Sequence, residues 1–152
     1  MPDKVQKTTG AATFNLFVRI RINQVDIQVV FPGEQRVDAL MKSLVVETNQ
    51  DNTAPSPFDL FLASIGTCAG IYVLRFCQQR GLPTDNIKVI QRLRSNPATR
   101  MIDHIELDIQ VPPDFPEKYK DALVRAANLC AVKKHLESPP VFDVHTSVIE
   151  PV

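Results

Sequence analysis

Two cysteines, Cys68 and Cys130, are the residues of this chain whose chemistry and setting would support thiol redox reactions. Cys68 lies in the small-residue run Ile-Gly-Thr-Cys-Ala-Gly at positions 65–70, and Cys130 precedes Ala-Val-Lys-Lys at positions 131–134. A peroxide oxidises a thiolate to a sulfenic acid, and a second thiol within reach converts that acid to a disulfide. If the two side chains face each other, the sequence predicts a thiol redox site.

The number and spacing of the cysteines limit the kind of site and the cellular compartment that we expect. Three cysteines leave one unpaired, and their spacing matches no CxxC or Cys/His zinc motif, so we expect neither a metal site nor a disulfide-stapled secreted scaffold. The N-terminal residues Met-Pro-Asp-Lys lack the pattern of a signal peptide, which makes the cytoplasm the expected location. Cys77, nine residues after Cys68, points to the opposite side of a straight helix and is expected in the core.

Length and charge limit the function classes. A chain of 152 residues with 44% hydrophobic content predicts a single domain over residues 1–152, with residues 1–11 as a flexible N-terminal segment. Lys plus Arg equal Asp plus Glu at 17 each, and the charges are interspersed, so neither nucleic acid nor a membrane surface is an expected partner. The apolar stretch 60–77 includes Ser64, Thr67 and Arg75, and it therefore favours a buried core helix over a membrane span.

Strands and helices in a definite order must position the two cysteines. Alternating apolar and polar residues predict strands at 12–22, 24–31, 44–46, 87–93, 101–111 and 141–149, with a turn at 32–34. Ser56 as N-cap, Pro57 at the first helical position and Asp59 in a capping box predict a central helix that ends before Gly81. A second helical pattern runs from residue 116 to residue 136, with Cys130 on its buried face. This order predicts an α+β fold with antiparallel sheets packed around a long buried central helix.

Both cysteine segments resemble the OsmC/Ohr family of thiol-dependent hydroperoxide reductases. The first matching run is Pro-Ser-Pro-Phe-Asp-Leu-Phe-Leu-Ala-Ser-Ile-Gly-Thr-Cys at 55–68, and the second is Cys-Ala-Val-Lys-Lys at 130–134. The resemblance covers residues 12–150, and the first run looks most like the divergent OsmC-like branch. It implies an intertwined homodimer in which the central helices of two subunits pack together, with active sites at their interface.

The resemblance also implies roles for individual residues. Cys68 would be the peroxidatic thiol and Cys130 the resolving thiol of a peroxidase that reduces organic hydroperoxides. No bound cofactor is implied; the expected partners are a small hydroperoxide substrate and a thiol reductant protein with a lipoyl-type dithiol. Phe58 and Phe61, at the start of the central helix, are candidate residues of the substrate pocket.

The group that would activate Cys68 is left open by the sequence. Family members commonly place an arginine before the central helix and a glutamate ten residues before the first cysteine, where this chain has Phe58. Arg36 and Glu47 are the candidates upstream of the helix. Arg75, two turns after Cys68 on the same helix face, is a further candidate cation.

The residues that flank the two cysteines permit two interpretations each. Gly66 and Gly70 leave room beside Cys68 for a ligand, or they only allow close helix packing. Lys133 and Lys134 favour the thiolate of the second cysteine if they share its helix face, or they form a solvated face.

Two alternatives come from other function classes. Phe58, in place of the expected glutamate, favours a non-catalytic OsmC-like protein that binds an apolar small ligand at the dimer interface. A cysteine hydrolase would instead need a histidine beside Cys68, and the chain offers His104, His135 and His145.

Overall fold

The computed structural model describes residues 26–149, which belong to two compact units divided between residues 47 and 48. Its antiparallel sheets and long helix confirm the α+β class. The predicted strand at 12–22 and the flexible segment at 1–11 lie outside the described residues. The prediction of a single domain stays a prediction.

The first unit contains a three-stranded antiparallel sheet in the order β1-β2-β3. Its strands are β1 (Gln28–Gly33), β2 (Arg36–Met41) and β3 (Leu44–Val46). The turn predicted at 32–34 is confirmed, and Gly33 and Glu34 there have φ values of 132° and 52°. Strand β2 was missed, because the buried carboxylate of Asp38 interrupts its apolar pattern.

The second unit carries one long helix, a strand pair and two short helices. Its elements are α1 (Pro57–Gln78), β4 (Lys88–Ser95), β5 (Ile102–Gln110), a 3-10 turn (Glu117–Tyr119), α2 (Lys120–Ala127) and α3 (Ala131–Glu137). Strands β4 and β5 are antiparallel and paired along their whole length, as the alternating pattern predicted.

Helix α1 begins and ends where the sequence predicted. Ser56 Oγ accepts a hydrogen bond from the backbone N–H of Asp59 at 3.2 Å, and Asp59 Oδ2 accepts one from the N–H of Ser56 at 3.0 Å. These bonds to Ser56 hold the pKa of Asp59 below its ordinary value, so this carboxylate serves as a cap. The helix is unbroken at Gly66, which places Cys68 about three turns inside it, beyond the favourable field of the N-terminus. Gly81, with a φ of 63°, follows the helix end.

One side of α1 forms the centre of the core. Its buried residues Ala69, Val73, Phe76 and Cys77 pack with Phe115, Leu123, Ala127 and Cys130. The core position predicted for Cys77 is confirmed. The other side leaves Phe58 57%, Phe61 40% and Ile71 39% exposed, so the described elements of the second unit do not bury the predicted central helix all round. The reason is that α2, α3 and β4 cover only part of its circumference.

Helix α1 is also long and apolar enough to cross a membrane by length and composition, with a mean hydropathy of 1.7. The core helix of a globular domain passes the same test. Since α1 packs against α2, α3 and β4, its contacts favour the core helix that the sequence predicted.

The C-terminal part differs from the prediction in two places. Helical structure is confirmed over most of 116–136, but it is interrupted at Cys130, which has an extended ψ of 122° and serves as the N-cap of α3. The strand predicted at 141–149 has no regular structure. No strand of the described chain lies beside it, and Val141, Phe142 and Val144 are 96%, 85% and 92% exposed.

Replacing the N-cap, Ser56→Ala, should lower the free energy of unfolding of the second unit by about 1 kcal/mol, because the Asp59 N–H loses its acceptor. Urea unfolding followed by helical circular dichroism measures this. Ser64→Ala is the matched control, since Ser64 Oγ donates to the Phe61 carbonyl inside the helix and caps nothing. Equal midpoints for the two variants would contradict the assigned cap.

Candidate functional site

The structure brings the two predicted cysteines together. Cys68 is half-buried in the middle of α1, and Cys130, 1% exposed, lies at the start of α3. Hydrogen bonding from the Cys130 side chain is among the effects that lower the pKa of Cys68, so the two thiols are neighbours. Cys130 Sγ also lies 4.0 Å from the carbonyl oxygen of Ile65, in the turn of α1 before Cys68. The chain between them therefore folds back so that α3 starts beside the middle of α1.

The backbone at the start of α3 acts on both sulfur atoms. Lys133 N–H donates to Cys130 Sγ at 3.4 Å. Hydrogen bonding by the backbones of Val132 and Ala131 lowers the pKa of Cys68. The first N–H groups of a helix have no acceptor within the helix. Cys130 therefore satisfies one donor that α3 would otherwise leave open, and Cys68 lies close enough to two more for its pKa to respond.

The hydrogen bonds separate the pKa values of the two thiols. Burial opposes ionisation of Cys68, but hydrogen bonds from the α3 backbone, led by Val132 N–H, and from the Cys130 thiol hold its pKa below the ordinary value. Burial raises the pKa of Cys130, and its hydrogen bond with Cys68 raises it further, against the Lys133 N–H. Cys68 is therefore the sulfur that ionises first, and Cys130 keeps its proton.

The predicted cations contribute little to this site within residues 48–149. The groups that lower the pKa of Cys68 there are the two backbone amides and the neighbouring thiol, and Arg75 is not among them. Arg75 is exposed in the last turn of α1. The ammonium group of Lys133 lies 2.7 Å from Asn128 Oδ1 and 3.8 Å from Glu137 Oε1, so this lysine belongs to a solvated face and only its backbone N–H reaches the second cysteine.

Arg36 and Glu47, the candidates upstream of the helix, form an ion pair within the first unit. Arg36 Nη2 lies 2.7 Å from Glu47 Oε1 and 2.8 Å from Asp38 Oδ2. Hydrogen bonds to Asp38, with help from Glu47, raise the pKa of this guanidinium. Arg36 is thus held by Asp38 and Glu47, while the position of the family's glutamate remains Phe58. A role of Arg36 and Glu47 towards Cys68 stays a prediction.

Phe58 and Phe61 form a stacked aromatic pair at the start of α1, with ring centroids 5.7 Å apart. Phe61 precedes Cys68 by seven residues, so both lie on the same side of the helix. A cavity of about 320 Å³ lies elsewhere, lined by β5, α2 and Asn128. The substrate pocket predicted at the two phenylalanines stays a prediction.

The two glycines that flank Cys68 have different surroundings. A Cβ atom added to Gly66 would lie 2.8 Å from Gln91 Oε1, whereas one added to Gly70 would meet nothing within 4 Å. Gly66 therefore makes room for a side chain of β4 and not for another helix. Gln91 is not among the residues predicted from the sequence, although a polar side chain on the core-facing side of a strand marks it as unusual.

A cysteine hydrolase would need a histidine in hydrogen-bond contact with Cys68, and no histidine of residues 26–149 makes that contact. The hydrogen bonds to Cys68 come from α3 and Cys130 alone, and His135 Nδ1 lies 2.7 Å from the Ala131 carbonyl oxygen. The hydrolase hypothesis is therefore wrong for residues 26–149. The same residues hold no group of three or more His, Cys, Asp or Glu side chains placed to bind a metal ion.

The described residues thus carry a half-buried thiol on the long helix of an α+β unit and a buried thiol at the start of a short helix beside it. The model of the family described as OsmC-like protein matches residues 50–145, and the chain belongs to that family. No curated protein matches the chain.

Solved structures share the fold at low sequence identity. An OsmC like protein from Mycoplasma pneumoniae is 12% identical with a TM-score of 0.58, and the match covers 78% of this chain and 91% of that one. A hypothetical protein from Aquifex aeolicus VF5 is 16% identical with a TM-score of 0.58, covering 78% and 90%. A protein from Psychrobacter arcticus 273-4, named for osmotic stress and a detoxification response, is 19% identical with a TM-score of 0.54, covering 71% and 85%. At these identities the likeness shows the fold.

Removing the N–H of Val132 should raise the pKa of Cys68, because the thiolate loses the strongest of its donors. An ester in place of the 131–132 amide removes that N–H without adding bulk. Cys130 permits this by native chemical ligation of a synthetic peptide 130–152 to a thioester of residues 1–129. We expect to observe this increase in the pKa from thiolate absorbance measured against pH in a Cys77→Ser background.

The control for this experiment is an ester that removes the N–H of Ser138, which bonds to the Lys134 carbonyl at the other end of α3. It weakens the helix without touching Cys68, so the pKa of Cys68 should stay at the value of the all-amide protein. An identical pKa for both esters would show that the α3 amides do not stabilise the thiolate.

Proposed function

We propose that the protein reduces organic hydroperoxides through a relay between Cys68 and Cys130. The observation that supports this proposal is the hydrogen-bonded pair of sulfur atoms whose pKa values shift in opposite directions. A peroxidatic thiol must ionise readily, whereas a resolving thiol must wait, protonated, within reach of the sulfenic acid. Membership of the OsmC-like family supports the same assignment.

In the proposed reaction, the Cys68 thiolate attacks the terminal oxygen of the hydroperoxide. The O–O bond breaks, the alcohol leaves after taking up a proton, and Cys68 becomes a sulfenic acid. The Cys130 sulfur then attacks Cys68 Sγ; hydroxide leaves with the Cys130 proton as water, and a disulfide forms. An external dithiol reduces this disulfide by two exchange steps and is itself oxidised to a disulfide.

The proposal includes no bound cofactor, because the peroxide and the external dithiol supply all the electrons exchanged. The reductant is a lipoyl-type dithiol on a thiol reductant protein, and the location is cytoplasmic. Cys68 is the more exposed sulfur, so an incoming dithiol attacks there and releases Cys130. The active unit is a homodimer, in which a second copy covers the exposed side of α1 that carries Phe58, Phe61 and Ile71.

Single substitutions at the three cysteines should separate their roles. Cys68→Ser should abolish turnover of cumene hydroperoxide with dihydrolipoamide, since the attacking thiolate is lost. Cys130→Ser should still consume one equivalent of peroxide and stop as a sulfenic acid, which dimedone labels. Cys77→Ser is the matched control and should keep turnover within about twofold, because a buried core thiol outside the pair takes no part in the relay. Turnover that survives Cys68→Ser would exclude the proposal.

The rate of Cys68 oxidation should follow the ionisation of this thiol. Because its folded pKa lies below the ordinary value, the rate at limiting peroxide should rise with pH only up to that lowered pKa and stay level above it. Stopped-flow measurement of disulfide formation across the pH range tests this. In the 131–132 ester protein the rise should move to higher pH, and a profile unchanged by the ester would contradict the link.

A second candidate function is binding of an apolar small ligand at the dimer interface without peroxidase chemistry. The stacked, exposed pair of Phe58 and Phe61 favours it, since such a patch suits an apolar guest. The two functions differ in their response to low peroxide. Rapid Cys68–Cys130 disulfide formation at one equivalent of hydroperoxide would favour the peroxidase, and its absence would favour the binding protein.

A further inference from the structure

A hydrogen bond between Gln91 and the backbone of α1 joins the sheet to the helix that carries Cys68. Gln91 Nε2 donates to the carbonyl oxygen of Leu62 at 3.1 Å. This residue lies on the same face of β4 as Val89, which packs against the core, and it pairs across the strands with Leu107. A polar side chain on a core-facing side needs a partner, and the Leu62 carbonyl supplies a free lone pair for it.

Gly66, two residues before Cys68, provides the space for this contact. Gly66 follows Leu62 by one turn, and its missing Cβ leaves the space in which Gln91 Oε1 lies. Glycine is a poor helix former, so its presence in an unbroken helix calls for a packing reason. Gly70 lies as far from Cys68 on the other side and has open space around it, which makes it a natural comparison.

The contact holds α1 on the side away from the reactive sulfur. Gly66 and Cys68 are two residues apart, about 200° around the helix, so Gln91 and the first turn of α3 approach α1 from opposite sides. The N–H groups of Ala131 and Val132 that lower the pKa of Cys68 belong to a different element from the sulfur. Their distance to the sulfur therefore depends on where α1 lies between β4 and α3.

We infer that Gln91, seated on Gly66, is a positioning residue that fixes α1 so that Cys68 meets the N–H donors of α3. Its hydrogen bond goes to the Leu62 carbonyl and not to the sulfur, so it acts through the backbone of α1. This inference rests on the proposed function for its biological meaning, but its physical content is the link between the Gln91 contact and the ionisation of Cys68.

The direct test is Gln91→Met, which keeps the length of the side chain and removes its donor. The pKa of Cys68 should rise as the α3 donors draw away from the thiolate. The rate of Cys68 alkylation by iodoacetamide at neutral pH should fall about threefold with it, as the thiolate fraction falls. Gln110→Met is the control, since Gln110 lies in the same strand pair and its side chain donates to Asp108, away from α1, among the described residues.

Gly66→Ala provides an independent test in which residue 91 remains glutamine. The new Cβ displaces the amide of Gln91, so this variant should show the same pKa shift, although alanine stabilises a helix. Gly70→Ala should leave the pKa of Cys68 unchanged. The double variant Gly66→Ala/Gln91→Met should shift the pKa no further than either single variant, because both remove one contact.

Variants that fold and keep the wild-type Cys68 pKa would overturn the inference, as would shifts that add in the double variant. Loss of unfolding stability without a pKa shift would also overturn it, because Gln91 would then be structural only. Thiolate absorbance and alkylation need no peroxide, so these outcomes do not depend on whether the protein is a peroxidase. A protein that never turns over hydroperoxide but shows the shifts would refute the proposed function and keep the inference.

Discussion

The site depends on backbone N–H groups that have sulfur as their acceptor. A helix that starts in the interior must satisfy its first donors, and α3 does so with Cys130 and with Cys68 from another helix. This requirement brings two elements together that are far apart in the sequence. It also gives the two thiols different environments, because hydrogen bonding lowers the pKa of Cys68, whereas burial raises the pKa of Cys130.

This arrangement does not need the dipole of the helix that carries the reactive cysteine. Cys68 lies too deep in the unbroken α1 to feel its N-terminus, and the open donors come from the start of a second, shorter helix. Within the second unit, thiolate stabilisation therefore follows from packing between helices. Any contact that sets the distance between α1 and α3, as proposed for the hydrogen bond of Gln91, then influences the ionisation of Cys68.

The sequence predicted the elements that follow simple local rules. The N-cap of α1, the strand pair β4 and β5 and the buried Cys77 came from capping, alternation and helical spacing. The break at Cys130 was missed, because cysteine is not among the residues that ordinarily cap a helix and the apolar spacing continues across it. Gln91 was missed for another reason: its partner is 29 positions away, and no local pattern encodes that approach.

The pairing of Cys68 with Cys130 was a conditional prediction, and the structure supplies the contact. Its basis in the sequence was a family resemblance, because spacing alone does not bring residues 62 positions apart together. The expected activator was a cation, since charged side chains are visible in a sequence. Backbone N–H groups are present at nearly every residue, so only the fold reveals which ones are left open.

Cys130 as an N-cap has a consequence for how this position can change over evolution. Serine, aspartate and asparagine are the usual N-caps, but Cys130 is 1% exposed, and a carboxylate or amide buried there would cost desolvation. A thiol accepts the Lys133 N–H and still packs into the core as a small apolar group. The position therefore tolerates few residue types for reasons of packing and capping alone, before any reactivity of the sulfur is considered.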